Sequence, residues 1–187
     1  MKLADKNALL DWEKYRQDIM RATPVDRDMS LAQREKHRLY LEAHPIEWIR
    51  YFFPNYAKYE FADFQKRAIR RIIDHEEWYE VLSWSRELAK STITMFAVMY
   101  LVLTGKKRNV ILTSNSKDNA VRLLAPYRGN LEANGRIIAY YDKQQALGTW
   151  TEDEFVTKSG IAFRAIGAGQ TPRGARNEAI RPDVLLI

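Results

Sequence analysis

Cysteine is absent from this 187-residue chain, which also contains only three histidines. The lack of cysteine excludes a disulfide scaffold and thiolate metal sites, and it fits a reducing compartment. His37, His44 and His75 lie far apart and lack the spacing of metal ligands, so surface or capping roles are the simpler interpretation. The longest apolar stretch, Ile93 to Leu103, is about half as long as a membrane span requires. The charged N-terminal stretch has no apolar run suited to a signal peptide, so the sequence predicts a soluble, intracellular protein.

The composition predicts a folded domain. Hydrophobic residues make up 46% of the chain and charged residues 29%, which is enough for a core and argues against wholesale disorder. The net charge is +6, and the excess lies in residues 81–187, where 15 Lys and Arg stand against 9 Asp and Glu. Such an excess suits a polyanion such as a nucleotide or a DNA backbone, although many ordinary proteins carry as much.

The N-terminal part of the chain has helical periodicity. Residues 1–45 read as charged helices that break at residues 22–30, with Ser30 as a possible cap of the second helix. Pro45 suits the start of a third helix, whose aromatic residues are expected to pack in a core rather than stack on bases. Residues 61–76 predict an amphipathic helix, and its basic side is more typical of a solvated face than of a DNA contact.

From residue 79 onward the pattern alternates between strands and helices. Strands are predicted at residues 79–84, 109–115 and 182–187, a hairpin at 154–166, and helices at 90–104 and 116–135. Because buried apolar strands alternate with helices, the sequence predicts an α/β fold with a parallel sheet flanked by helices.

One stretch, SWSRELAKST at residues 83–92, carries the strongest functional signal. It ends like a phosphate-binding loop, with Lys90 followed by two hydroxyl residues, but Trp84 and Ala89 occupy positions where the usual motif has glycine. In such a loop, backbone N–H groups at a helix N-terminus bind phosphate oxygens, the lysine reaches the β- and γ-phosphates, and the next hydroxyl binds Mg²⁺. The flanking apolar strand and apolar helix favour this interpretation.

The alternative is an ordinary helix start. In that case Ser85 caps a helix that begins at Arg86, and Lys90 is merely solvated. Leu88 weakens this alternative, because it stands where a capping box has Glu or Gln.

The segment SRELAKST resembles the deviant Walker A loop of the large terminase subunits of tailed bacteriophages, in which the first glycine is not required. Four further segments are similar to parts of that family: residues 44–54, 61–69, 109–124 and 159–187. They resemble, respectively, a short helix before the ATPase core, the adenine-recognition element, the strand and helix after the loop, and the stretch leading into the Walker B strand.

The resemblance implies a RecA-like (ASCE) P-loop NTPase fold, with a helical arm at residues 1–60 and part of an ATPase domain at residues 61–187. It implies the ATPase portion of a viral packaging motor, which couples ATP hydrolysis to translocation of double-stranded DNA into a capsid. The implied cofactors are ATP and Mg²⁺. The implied partners are double-stranded DNA, a portal protein, a small terminase subunit and further copies in a ring, with no membrane, in the host-cell cytoplasm.

The resemblance also assigns residue roles. Lys90 would neutralise phosphate charge, Arg86 would sense or stabilise the γ-phosphate, and Ser91 would hold Mg²⁺. Gln65 would lie beside the adenine, whereas its residue type alone favours a polar position on an amphipathic helix. The expected nucleotide-binding set is Gln65, Ser85, Arg86, Glu87, Leu88, Ala89, Lys90, Ser91 and Thr92. Arg173 and Arg176 are candidates for arginine fingers, for DNA contacts or for plain solvated residues.

The chain departs from the family at its C-terminal end. In the family, paired acidic residues close the Walker B strand, and here they would be expected directly after Ile187. Asp183 precedes the apolar run and is not a substitute. The family's nuclease domain would follow further on, so the chain as given is expected to hydrolyse ATP weakly or not at all.

Two other functions stay open from the sequence: a helicase-like ATPase dependent on nucleic acid, and a non-enzymatic assembly module with a degenerate loop.

Overall fold

The computed structural model describes residues 3–170 and 181–187. The helices in this part of the chain are α1 (Leu3–Ala22), α2 (Leu31–Ala43), α3 (Pro45–Phe52), α4 (Asp63–Asp74), α5 (Lys90–Leu103), α6 (Lys117–Ala133) and α7 (Gly135–Tyr141). The strands are β1 (Asn109–Ser114), β2 (Gln145–Trp150), β3 (Glu154–Thr157), β4 (Ala162–Gly167) and β5 (Val184–Leu186). None of the helices in these ranges is long and apolar enough to cross a membrane.

The five described strands form one open sheet in the order β2-β3-β4-β1-β5. Strands β4, β1 and β5 are parallel, whereas β2, β3 and β4 are antiparallel neighbours. The predicted α/β architecture is therefore confirmed, but the sheet is mixed rather than wholly parallel. The hairpin predicted at residues 154–166 is the β3–β4 pair, and the sequence reading missed β2.

Residues 79–84 were predicted as a strand, and that prediction was wrong. Their burial does alternate: Tyr79 and Val81 are 85% and 65% exposed, whereas Leu82 and Trp84 are half-buried. A strand also needs a neighbour for its backbone N–H and C=O groups, and within the described ranges no strand pairs with this segment. These residues form no regular element and lie outside the sheet.

The core lies between α5 and the surrounding helices and strands. Helix α5 is apolar on all sides because α3 and α4 pack on it and its core continues into β1. Trp48, Phe52 and Phe53 are fully buried in the same core, so the aromatic residues of α3 pack internally, as predicted. The N-terminal helices thus contribute to the core that supports the loop before α5.

Several helix boundaries follow the local signals in the sequence. Ser30 and Gln33 form a capping box at the start of α2, and the Ser116 side chain accepts from the N–H of Asn119 at the start of α6. Gly105, with φ of 78°, closes α5 as predicted. Helix α6 ends earlier than predicted, because Asn134 starts a separate helix by accepting from the N–H of Ile137 at 3.1 Å.

Candidate functional site

The loop before α5 has an unusual backbone. Helix α5 begins at Lys90, and the preceding Ala89 has φ of 61° and ψ of 29°, in the left-handed region. Glu87, two residues earlier, also has a positive φ, of 68°. Residues 86–89 are therefore not helical, and the alternative in which Ser85 caps a helix starting at Arg86 is excluded.

Left-handed conformations at non-glycine residues are costly, by about 1–2 kcal/mol each, and they concentrate at functional sites. Ala89 stands where the usual phosphate-loop motif has glycine, and it adopts a conformation that glycine normally supplies. Left-handed residues in a tight loop turn backbone N–H groups toward one concave side, an arrangement that binds anions. Residues 86 and 87 form a turn, and within the described ranges the N–H groups of Arg86, Glu87 and Ala89 donate no hydrogen bond.

The side chain of Lys90 folds back over the loop. Its Nζ donates to the carbonyl oxygen of Trp84 at 2.6 Å and to that of Ser85 at 3.0 Å. In a planar trans peptide the N–H points opposite to the C=O, so these bonds turn the N–H groups of Ser85 and Arg86 away from the carbonyl side. Lys90 thereby combines a positive charge at the helix N-terminus with a restraint on the loop.

Helix α4 contacts the loop at two points of its first turn. The Gln65 Nε2 donates to the carbonyl oxygen of Leu88 at 3.2 Å, and the Gln65 Oε1 accepts from the N–H of Ala62 at 3.0 Å. The ring of Phe64 meets the ring of Trp84 edge-to-face, with centroids 4.8 Å apart. The structure thus brings Gln65 to the loop, and no pattern in the sequence predicts the contact of Phe64 with Trp84.

The remaining predicted loop residues present their side chains to solvent. Ser85, Arg86, Glu87, Leu88 and Ser91 are exposed, and Thr92 is half-buried. Ser91 is the second residue of α5, so its hydroxyl lies in the same helical turn as Lys90.

Arg173 and Arg176 lie outside the described residues.

The parallel strands β4, β1 and β5 end at one edge of the sheet, and α6 begins next to the end of β1. In open α/β sheets, ligands bind at the carboxyl ends of the strands. At this edge the Lys117 Nζ donates to the Asp153 Oδ2 at 2.8 Å and to the Ala165 carbonyl at 2.9 Å. The hydrogen bond from Lys117 lowers the pKa of Asp153, and one from Thr151 adds to the effect.

Asp183 lies at the opposite end of the parallel strands, where β1 and β5 begin. Its Oδ2 accepts from the N–H of Arg108 and its Oδ1 from the N–H of Asn109, both at 2.8 Å. The N–H of Asp183 in turn donates to the carbonyl of Asn109 at 3.0 Å. This carboxylate therefore links the starts of β1 and β5, and its hydrogen bonds go to residues outside the loop.

Comparisons of the chain with protein-family models, curated proteins and solved structures gave no match. The resemblance to terminases stays a prediction from the sequence.

The loop has the chemistry of an anion site. Three features of the loop favour negative charge. They are the N–H groups of Arg86, Glu87 and Ala89, the N-terminus of α5, and the positive charges of Arg86 and Lys90. Glu87 opposes it with one negative charge, but its side chain is exposed to solvent, which screens the repulsion. The charges of the loop side chains therefore sum to one net positive charge beside the N-terminus of α5.

Proposed function

We propose that residues 85–92 bind the phosphates of ATP and that the chain is the ATPase part of a viral DNA-packaging motor of the large-terminase kind. The observation that carries the nucleotide site is the fold-back of Lys90 onto the carbonyls of Trp84 and Ser85 in a loop with two left-handed residues. The packaging role is supported by the resemblance of five segments of the sequence to that family.

Each loop residue has a role in this proposal. Lys90 neutralises charge on the β- and γ-phosphates, the backbone N–H groups of the loop bind their oxygens, and Arg86 stabilises the γ-phosphate. Mg²⁺, when bound, neutralises further charge on the phosphate oxygens. It usually takes one or two protein ligands and completes its shell with phosphates and water, so the exposed hydroxyl of Ser91 fits it as one ligand.

A DNA-packaging motor acts together with several partners. Double-stranded DNA is the translocated substrate, and a portal protein, a small terminase subunit and a ring of identical copies complete the machine. A motor of this kind grips duplex DNA in step with its nucleotide state. The chain loaded with Mg-ATP is therefore expected to bind duplex DNA more tightly than the chain without nucleotide, and a preference for single strands would favour a helicase.

The nucleotide site is tested by measuring Mg-ATP binding by calorimetry with a matched pair of lysine variants. Lys90→Ala is expected to weaken binding roughly 10- to 100-fold, the usual effect of losing a charged hydrogen bond. Lys107→Ala is the control, because the Lys107 Nζ also donates to a backbone carbonyl, that of Glu76, at the other end of α5. Wild-type protein that binds no ATP, or equal losses in the two variants, would contradict the site.

A further inference from the structure

We propose that Gln65 is a positioning residue for the phosphate loop, which fixes the direction of the Ala89 N–H. This inference rests on the proposed function of the loop. It differs from the role that the family resemblance implies, and it follows from where the two ends of the Gln65 amide are engaged.

The amide of Gln65 bridges two backbone groups. Its oxygen accepts from the N–H of Ala62, at the start of α4, and its nitrogen donates to the carbonyl of Leu88 in the loop. With both ends bonded, the plane of the amide is fixed between α4 and the loop. Each end keeps one further hydrogen-bonding position, so the two bonds establish a link between α4 and the loop, and the contact with a base is left to the test below.

The bond to Leu88 determines the orientation of the next N–H group. The peptide between Leu88 and Ala89 is planar and trans, so its N–H points opposite to its C=O. With the carbonyl held toward Gln65, the Ala89 N–H is directed away from α4. Lys90 does the same for two earlier peptides by holding the carbonyls of Trp84 and Ser85. Two side chains thus restrain three carbonyls of this segment, those of Trp84, Ser85 and Leu88.

The element that carries Gln65 is rigid. Ala68, Ile69 and Ile73 of α4 are buried, and the helix packs along α5. The contact of Phe64 with Trp84 holds the other end of the loop from the same helical turn. A loop whose backbone carries two left-handed residues needs such support, since strained conformations persist only where the surroundings enforce them.

A positioning residue and a base-reading residue differ in the ligands they affect. Loss of a base contact weakens binding of ATP and leaves a ligand without a base unchanged. Loss of a loop restraint weakens both ligands by the same factor, because the damage is to the phosphate donors. Inorganic tripolyphosphate, which has the phosphates of ATP and no base, therefore separates the two roles.

The experiment compares the affinities of Mg-ATP and Mg-tripolyphosphate for wild type and three variants. Gln65→Ala removes both bonds, and Gln65→Glu keeps the acceptor for Ala62 while it loses the donor to Leu88. Both are expected to weaken the two ligands equally, roughly tenfold. Gln33→Ala is the matched control, because the Gln33 Oε1 accepts from the N–H of Ser30 at 2.8 Å in the same kind of helix cap, on α2. It should leave both affinities within about twofold of wild type.

Thermal unfolding of the same variants separates binding from folding. Gln65→Ala and Gln33→Ala each remove a cap bond, and Gln65→Ala also removes the bond to the loop. The melting temperatures measure the cost to folding, and affinities compared where each variant is folded measure the effect on the loop. A loss for ATP with tripolyphosphate unchanged would overturn the positioning role in favour of base reading. Unchanged affinities for both ligands in the Gln65 variants would overturn it as well. Wild-type protein that binds neither ligand would instead overturn the proposed function, and this inference with it.

Discussion

Trp12 of α1 donates its indole N–H to the buried carboxylate of Glu132 in α6, at 3.3 Å. The same carboxylate accepts from the indole of Trp150 in β2 at 2.6 Å. The Nε atoms of Arg16 and Arg128 lie 3.2 and 3.3 Å from its oxygens, at angles that make these contacts ion pairs rather than hydrogen bonds. Arg128 also stacks on the ring of Trp12, 3.9 Å from its centroid. One carboxylate therefore joins α1, α6 and β2.

Removal of this carboxylate is expected to be strongly destabilising. The Glu132 side chain is only 6% exposed, so Glu132→Ala leaves two mostly buried arginines without their counter-charge and two indoles without their acceptor. We expect a loss of about 3–5 kcal/mol in the free energy of unfolding, the usual cost of breaking a buried ion pair from one side. Urea unfolding followed by tryptophan fluorescence measures it.

Glu13 provides the control, because it pairs with the same Arg16 on the surface, at 3.1 Å and with its own side chain 52% exposed. Glu13→Ala is expected to cost less than about 1 kcal/mol. Similar losses in the two variants would mean that Glu132 does not hold the N-terminal helix to the sheet side of the protein.

Substitution of Asp183 tests whether stability can be lowered without a change in ligand affinity at the candidate site. Asp183→Ala removes a charged acceptor of the N–H groups of Arg108 and Asn109, and we expect it to lower the free energy of unfolding by about 1–2 kcal/mol, since Asp183 is exposed to water. Because the hydrogen bonds of Asp183 go to Arg108 and Asn109 and not to the described loop residues, Mg-tripolyphosphate affinity should stay within about twofold of wild type wherever the variant is folded. Asp183→Asn keeps one acceptor and should lose less stability. A folded Asp183→Ala variant that no longer binds tripolyphosphate would place this carboxylate in the site after all.

Much of the fold around the loop was predictable because it depends on local signals. The apolar run after Lys90, the glycine at residue 105 and the apolar β1 segment each specify their element through burial or backbone preference. Strand β2 was missed because its sequence, QALGTW, has a glycine at residue 148 and no clear alternation. The strand prediction at residues 79–84 was wrong for a different reason. Alternating hydrophobicity predicts that one side of a segment is buried, but it does not show that another strand lies beside the segment to pair with it.

The candidate site was predictable in its composition and not in its geometry. The lysine and hydroxyls at residues 90–92 are visible in the sequence, but no local preference predicts a left-handed Ala89 or Glu87. The bond between Gln65 and the Leu88 carbonyl joins two elements 23 positions apart, so it depends on how α4 packs on α5. The resemblance placed Gln65 near the nucleotide, whereas only the structure relates it to the loop backbone.

Ala89 allows the backbone of the loop to be tested directly. Glycine adopts left-handed conformations without strain, so Ala89→Gly is expected to raise the free energy of unfolding, or at least preserve it, with a gain of up to about 1 kcal/mol. Ala8→Gly, at an exposed position inside α1, should instead lower it by about 0.5–1 kcal/mol, since glycine disfavours a helix interior. Urea unfolding of both variants measures the difference in sign. Equal losses at the two positions would mean that residue 89 does not hold the left-handed conformation in solution, and the N–H groups of the loop would then lack the arrangement that a phosphate requires.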